Sequence, residues 1–219
     1  MYGNSTEVES SQTDIHPQLT RIVAKHLRTP YLRPIAAHTA SEYARVRERI
    51  IEAMHSGVPI VLDSCCGTGE SSYRLAELHQ GSFVIGFDRS LHRLSKTAHH
   101  SGGETVLLLR GAAEDVWRLL ALDGICINTH YLLYPNPSPK PHHLLRRWHA
   151  HPVFPTLLRI STRIELRTNW RIYAEEFAAA LRIANRTAYV HTYNPTSYLS
   201  PFESKYHASG HTLWRVVTE

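Results

Sequence analysis

Apolar and polar positions along this chain switch between a helical period and short apolar runs. Val46, Ile50, Ile51 and Met54 recur at helical spacing, and Gly57 ends the run. Thr39 and Glu42 precede them at the spacing of a capping box. Beyond Gly57 the pattern alternates. Strands are predicted at 59–63, 83–87, 105–109 and 125–129, and helices at 70–79, 90–98 and 113–122. Further strands are predicted at 163–167, 188–193 and 212–217. A helix is predicted at 169–184, with Trp170, Tyr173, Phe177 and Leu181 on one face. Seven strands interleaved with helices predict an α/β fold: a mostly parallel seven-stranded sheet with helices on both faces. In such sheets ligands bind outside the carboxyl ends of the strands. Residues 18–34 read as a short basic amphipathic segment with Arg21, Lys25 and Arg28, punctuated by Pro30 and Pro34. Residues 1–17 are rich in Ser, Thr, Glu and Gln and lack apolar periodicity, so they are expected to be a flexible tail.

Composition sets the class. The chain has 219 residues, 42% hydrophobic and 20% charged, which is ordinary for a globular protein and excludes a disordered or collagen-like one. No stretch approaches the roughly 18 apolar residues of a membrane span. Met1 to Glu7 has neither a basic nor an apolar region, so no signal peptide is read there. Three cysteines without a Cys-x-x-Cys spacing suit a reducing, cytoplasmic compartment. The adjacent Cys65 and Cys66 read as small packed residues rather than metal ligands. The charge is unevenly spread. The net charge is +5, yet residues 1–17 carry Glu7, Glu9 and Asp14 with no Lys or Arg. No acidic residue stands between Asp123 and Glu165, a run that holds Lys140, Arg146, Arg147, Arg159, Arg163 and five histidines. Such a one-sided stretch suits a polyanion, nucleic acid above all.

Two loops carry candidate chemistry. Asp63-Ser-Cys-Cys-Gly67-Thr-Gly69 follows the first strand and opens a helix, and Asp88 ends the second strand. Gly67 and Gly69 allow a tight turn and close approach of a ligand, and a carboxylate at Asp88 can accept both hydroxyls of a ribose. A dinucleotide fingerprint would have Gly where Ser72 stands. An acid four residues before the first glycine, here Asp63, is instead typical of S-adenosylmethionine sites. The second loop is Tyr134-Pro-Asn-Pro-Ser-Pro-Lys140, where three prolines restrict φ. Asn136 can meet a nucleobase edge and Lys140 a phosphate. His142, His143, Arg146, Arg147, Trp148, His149 and His151 follow, as a phosphate-binding surface with Trp148 packing or stacking.

From about residue 60 to the C-terminus the chain resembles the TrmB-like tRNA (guanine-N7-)-methyltransferases. The resemblance runs through Asp63 to Glu70, Ile85-Gly-Phe-Asp88, the proline loop, Arg167-Thr-Asn-Trp170 with Tyr173, and Ser200-Pro-Phe-Glu203. It implies a Rossmann-like class I methyltransferase domain over 18–219 with an N-terminal helical extension. It implies S-adenosylmethionine as cofactor, bound by Asp63, Cys65, Gly67, Gly69, Asp88 and Ala113. It implies Asn136 as the catalytic loop residue and substrate contact by Lys140, Thr168, Asn169, Ser200 and Glu203, with Arg146 and Arg147 on the RNA backbone. The implied partner is tRNA or another structured RNA, bound by a monomer or homodimer. The chain departs from the family by Asn at 136 and 169, where Asp is usual, and by Ala112 where an acidic residue commonly faces adenine. A changed substrate, an exocyclic amine or a small molecule, is one alternative. A non-catalytic RNA-binding relative is another.

Overall fold

Residues 3–96 and 104–219 are described by a computed structural model. One seven-stranded sheet has the order β3-β2-β1-β4-β5-β7-β6. Its strands are β1 (Ile60–Ser64), β2 (Phe83–Asp88), β3 (Val106–Arg110), β4 (Ile127–Leu133), β5 (Ser161–Thr168), β6 (Ala188–Thr192) and β7 (Trp214–Thr218). The pairs β1–β2, β1–β4 and β2–β3 are parallel, whereas β7 runs antiparallel to both β5 and β6. The helices are α1 (Leu19–His26), α2 (Ala37–His55), α3 (Glu70–Leu78), α4 (Leu91–Leu94), α5 (Ala113–Leu122), α6 (Phe154–Ile160), α7 (Arg171–Ile183) and α8 (Pro201–Ala208). The C-terminal part of the helix predicted at 90–98 lies outside the described residues.

The chain divides into two compact units. One comprises Arg33–Leu133 and Thr156–Arg163; the other comprises Met1–Leu32, Tyr134–Pro155 and Ile164–Glu219.

The first unit holds β1 to β4. β1 and β2 are buried along their whole length, which is why they read as unbroken apolar runs rather than alternating ones. The strand order reverses at β1, between β2 and β4, and this switch point places the β1 and β2 loops where parallel sheets bind ligands. β4 runs on to Leu133, four residues beyond the predicted end, because His130 to Leu133 are all buried. A polar chain crosses this core. Trp117 Nε1 donates to Ser64 Oγ at 2.9 Å, Ser64 Oγ lies 2.6 Å from His130 Nε2, and His130 Nδ1 lies 2.8 Å from Ser161 Oγ. Burial pushes the His130 pKa down to about 3, so the ring is neutral.

The capping box expected at Thr39 and Glu42 is corrected. α2 begins at Ala37, two residues before Thr39. Ala36 has no side-chain cap, and its N–H donates to Asp115 Oδ2 at 3.1 Å, so a carboxylate from α5 serves instead. Thr39 is fully buried, close against Gly111.

In the second unit α7 packs against α1, β6 and β7. Trp170, Tyr173, Phe177 and Leu181 are buried, as their spacing predicts. α6 and α8 are the elements the apolar periodicity did not show. α6 is short and passes straight into β5. Residues 3–15 form neither helix nor strand, yet several of them hydrogen-bond to distant parts of this unit. Among the described residues no helix is long and apolar enough to cross a membrane.

Candidate functional site

The first unit carries the glycine loop. Three alternate residues, Cys65, Gly67 and Gly69, have φ of 62°, 65° and 79°. This left-handed alternation folds the loop back, so that Cys66 N–H donates to Phe87 O at 2.9 Å. Gly67 and Gly69 supply those angles without strain, whereas Cys65 costs about 1–2 kcal/mol there. The two glycines also differ in surroundings. A Cβ on Gly67 would meet nothing within 4 Å, so the backbone there faces open space. A Cβ on Gly69 would come within 2.7 Å of Leu108, so that glycine serves packing.

Two carboxylates flank the loop. Asp63 is 1% exposed, and its Oδ2 accepts from Ser71 Oγ at 2.6 Å and Ser72 Oγ at 2.7 Å. Its Oδ1 is buried without a partner. Burial pushes its pKa up to about 6, against the two serine hydrogen bonds. Asp88 accepts from Gly67 N–H at 3.1 Å through Oδ2 and from Ser90 N–H at 2.8 Å through Oδ1. Each oxygen keeps a second lone pair. Ala113, buried at the start of α5, follows β3.

These features fit a cationic nucleoside cofactor. An orphaned buried carboxylate oxygen wants a donor or a cation. The open backbone at Gly67 admits a close ligand, and Asp88 retains acceptor capacity for ribose hydroxyls. Ser71 and Ser72, which hold Asp63, are residues that the sequence reading did not single out as part of the candidate site. Their signal was the serine at the position where a dinucleotide site carries glycine.

The second unit carries the proline loop. Tyr134 and Ser138 have φ of 52° and 45°, so the strained residues are two that directly precede a proline. Asn136 is exposed, and its Oδ1 accepts from Ser138 N–H at 3.0 Å, an Asx turn. That bond fixes which end of the amide is oxygen and leaves the NH2 group as a donor. Lys140 and Arg146 are exposed.

Arg147 does not belong to a phosphate surface, which corrects its expected role. It is fully buried, its Nη1 donates to Glu176 Oε2 at 2.6 Å, and its guanidinium lies 4.8 Å from the Trp170 ring centre. His149 is buried as well and lies 2.9 Å from Glu176 Oε2. Burial lowers the His149 pKa. The Glu176 pKa is held down to about 2: burial pushes it up, but the bonds and charges of His149 and Arg147 outweigh that. A buried pair of this kind, satisfied on both sides, is costly to break from one side only. The sequence reading did not single out Glu176; an acid at helical spacing on an apolar face is the signal that could have found it.

Ser200 and Glu203 are also taken up by the fold. Ser200 Oγ accepts from Glu203 N–H at 3.2 Å and caps α8, with Pro201 in the first turn. Glu203 is fully buried. Its Oε2 accepts from Leu199 N–H at 2.7 Å, and its Oε1 accepts from Arg167 at 2.8 Å and from the hydroxyls of Tyr134 and Tyr193. Burial, reinforced by the Glu203 charge, pushes both tyrosine hydroxyls well above their ordinary pKa. The Ser-Pro-x-Glu segment thus supplies a serine N-cap, with the glutamate reaching back to the N–H of Leu199, one residue before the cap. Thr168 is buried, and its Oγ1 accepts from Trp170 N–H at 3.2 Å. Asn169 Nδ2 lies 3.0 Å from His211 Nδ1. Of the expected substrate contacts, Lys140 and Arg146 are exposed and Asn169 is half-buried; Arg147, Thr168, Ser200 and Glu203 are internal. Trp148 is half-buried, its ring edge-on to His151 at 5.6 Å. Among the described residues no group of three His, Cys, Asp or Glu is placed to hold a metal.

The family model Methyltransf_4, described as "Putative methyltransferase", matches residues 58–216. No curated protein matches the chain. Among solved structures, an antibiotic-related methyltransferase superposes with a TM-score of 0.52 at 17% identity, covering 89% of this chain and 96% of its own. The 16S rRNA methyltransferase KamB gives 0.55 at 16% identity, covering 85% and 94%. A variant of the 16S rRNA (adenine(1408)-N(1))-methyltransferase from Catenulisporales acidiphilia gives 0.51 at 16% identity, covering 78% and 89%. At these identities the likeness is one of fold.

Proposed function

The chain belongs to the Methyltransf_4 family of methyltransferases, with S-adenosylmethionine as methyl donor, and from that premise we propose that it methylates a ring nitrogen of structured RNA, N7 of a guanine in tRNA or a similar RNA. When bound, the cofactor supplies a methyl group on a cationic sulfur. Asp63 Oδ1 and the open Gly67 backbone would hold its methionine end, Asp88 its ribose, and the loop at Ala113 its adenine.

The reaction asks little of the protein beyond placement. Guanine N7 carries an in-plane lone pair and no proton, so no side chain has to act as a base. Catalysis then rests on proximity and alignment. Loss of the family's carboxylates at 136 and 169 is compatible with that chemistry.

What carries the assignment is Asn136. Its carbonyl is tied to Ser138 N–H, and its NH2 is left as a donor on an exposed, conformationally fixed loop. Guanine shows two acceptors, N7 and O6, on one edge. An amide donor to O6 would orient that edge and leave N7 to react. The carbonyl has one lone pair on Ser138 N–H and one left over, whereas the amide's donor side is the part the loop does not use; that balance favours an acceptor edge, and so the ring nitrogen, over the amino-group alternative. Lys140 and Arg146 would meet the RNA backbone. Two of the proteins that share the fold are named as acting on 16S rRNA, so RNA lies within the range of this architecture.

The test is transfer of labelled methyl from S-adenosylmethionine to total RNA from cells lacking the protein, followed by nucleoside identification. Label in 7-methylguanosine is expected. Label in an N-methylated exocyclic amine, or none in RNA from a protein that binds the cofactor, would overturn the proposal.

A further inference from the structure

The N-terminal segment is joined to the proline loop through a buried side chain. Ser138 takes φ of 45° and its carbonyl accepts from Arg147 Nε at 3.3 Å and Nη2 at 3.2 Å. The next carbonyl, that of Pro139, accepts from Ser10 Oγ at 2.6 Å, and Ser10 Oγ in turn accepts from Gln12 N–H at 3.0 Å. Arg147 is itself held in place from two sides. Glu176 takes its Nη1, and Gln12 Oε1 accepts from its Nη2 at 3.0 Å. The same Gln12 amide donates through Nε2 to Glu176 Oε1 at 2.7 Å. One carboxamide therefore spans both partners of a buried ion pair, its oxygen on the cation and its nitrogen on the anion. His16 N–H adds a second donor to Glu176 Oε1 at 2.9 Å.

This arrangement has a direction. A left-handed serine between prolines does not hold itself, and a loop of alternating prolines has few N–H groups with which to build its own ladder. Beyond the Asn136–Ser138 turn, its conformation is held from outside, by donors that reach its carbonyls. Those donors belong to Arg147 and Ser10, and both are set by the N-terminal segment. We propose that Arg147 is a positioning residue that couples residues 10–16 to the Ser138–Pro139 turn, so that the N-terminal segment sets how the proline loop presents Asn136 and Lys140 to the substrate. The substrate part of this inference rests on the RNA-methylation reading; the coupling does not.

Substitution of Arg147 or Glu176 would strand a buried charge and risks the fold, so the test uses Gln12→Ala and Ser10→Ala in the full chain, with Ser10→Thr as the conservative variant. The first readout is amide hydrogen exchange at Asn136, Ser138 and Lys140. Exchange is expected to rise several-fold at these amides in both alanine variants, with α7 amides unchanged, and to return toward the parent value in Ser10→Thr. The second readout is affinity for S-adenosylmethionine, expected unchanged, beside KM and kcat for RNA, which are expected to worsen several-fold with the same rank order as the loop exchange. Unchanged loop exchange would overturn the coupling. A rise spread equally over α1 and α7 would also overturn it, since that is the mark of general destabilisation. A loop that loosens selectively in a protein that methylates no RNA upholds the coupling and removes the substrate reading alone.

Discussion

Ser72 occupies the space that a side chain on Gly86 would need: a methyl group there would come within 2.2 Å of Ser72 Oγ. Dinucleotide-binding sheets solve this close approach with a glycine on the helix. Here the glycine stands on β2 instead, and the helix keeps a hydroxyl that donates to Asp63. Gly86→Ala is therefore expected to destabilise the protein by about 1–3 kcal/mol, the usual cost of overpacking a filled core. It should also lower cofactor affinity, because Ser72 is pushed off Asp63. Adding Ser72→Gly should recover part of the stability, since the new methyl would still come within 2.6 Å of Leu108, and none of the affinity. Urea unfolding with cofactor titration checks both; an unchanged midpoint in Gly86→Ala would show that β2 and α3 can separate freely.

Asp88 holds the loop and, in the proposed cofactor site, would also hold the ribose. Its two oxygens fix Gly67 N–H and Ser90 N–H. Asp88→Ala should abolish measurable S-adenosylmethionine binding in calorimetry, and Asp88→Asn should retain part of it, since one acceptor oxygen survives. Unchanged affinity in Asp88→Ala would remove the site from this loop.

Asp63 gives the cofactor site a pH dependence. Burial raises its pKa to about 6 in the folded protein, above the ordinary value of an aspartate. The stability linked to this raised pKa is fully present below about pH 4 and is lost as pH rises through 6. A cationic ligand acts in the opposite sense, since it favours the ionised carboxylate. Affinity for S-adenosylmethionine should thus fall as pH drops below 6, by up to about tenfold per pH unit for a single proton. Asp63→Asn should bind weakly with no such slope. Titrations from pH 5 to 7.5 decide it; a parallel slope in both proteins would assign the proton elsewhere.

The sheet was legible because β1, β2 and β3 are short apolar runs set between helical periods, and the face of α7 because its aromatic residues fall at helical spacing. The tight glycine turn between β1 and α3 was legible from acid and glycine positions relative to the strands. The internal roles were not. Arg147 and Arg146 are neighbours with the same chemistry, and only the turn of the chain buries one and exposes the other. Local pattern also placed the capping box at Thr39 and Glu42, whereas the serine that caps a helix is Ser200; the proline after it was the better signal. Residues 10–16 carry no periodicity, so their bonds to Glu176 and Pro139 had no trace in the hydrophobic pattern.

Asn136 separates holding the loop from reading the substrate. Asn136→Ala loses both the Asx turn and the amide donor, and kcat should fall roughly threefold to tenfold or more for each hydrogen bond lost, with cofactor affinity unchanged. Asn136→Asp keeps the acceptor for Ser138 N–H but replaces the NH2 donor with an oxygen. If the donor meets guanine O6, this variant should be about as impaired as the alanine one. An Asn136→Asp protein faster than the parent would mean instead that the position accepts from the guanine amino edge.

Lys140 and Arg146 are the exposed cations of the acid-free stretch in the second unit, and Arg147 is not. Phosphate contacts release counterions, so each one contributes about 0.7 to 0.9 to the slope of log affinity against log salt. Lys140→Ala and Arg146→Ala should each weaken RNA binding across sequences and reduce that slope by about one contact's worth. They should leave cofactor binding intact. Arg159→Ala and Arg163→Ala, exposed cations of the other unit, test how far the footprint extends along the chain. Fluorescence anisotropy with a labelled tRNA over a range of salt concentrations measures all four. A slope that stays constant in Lys140→Ala and Arg146→Ala would place the RNA backbone away from the proline loop, and with it the substrate.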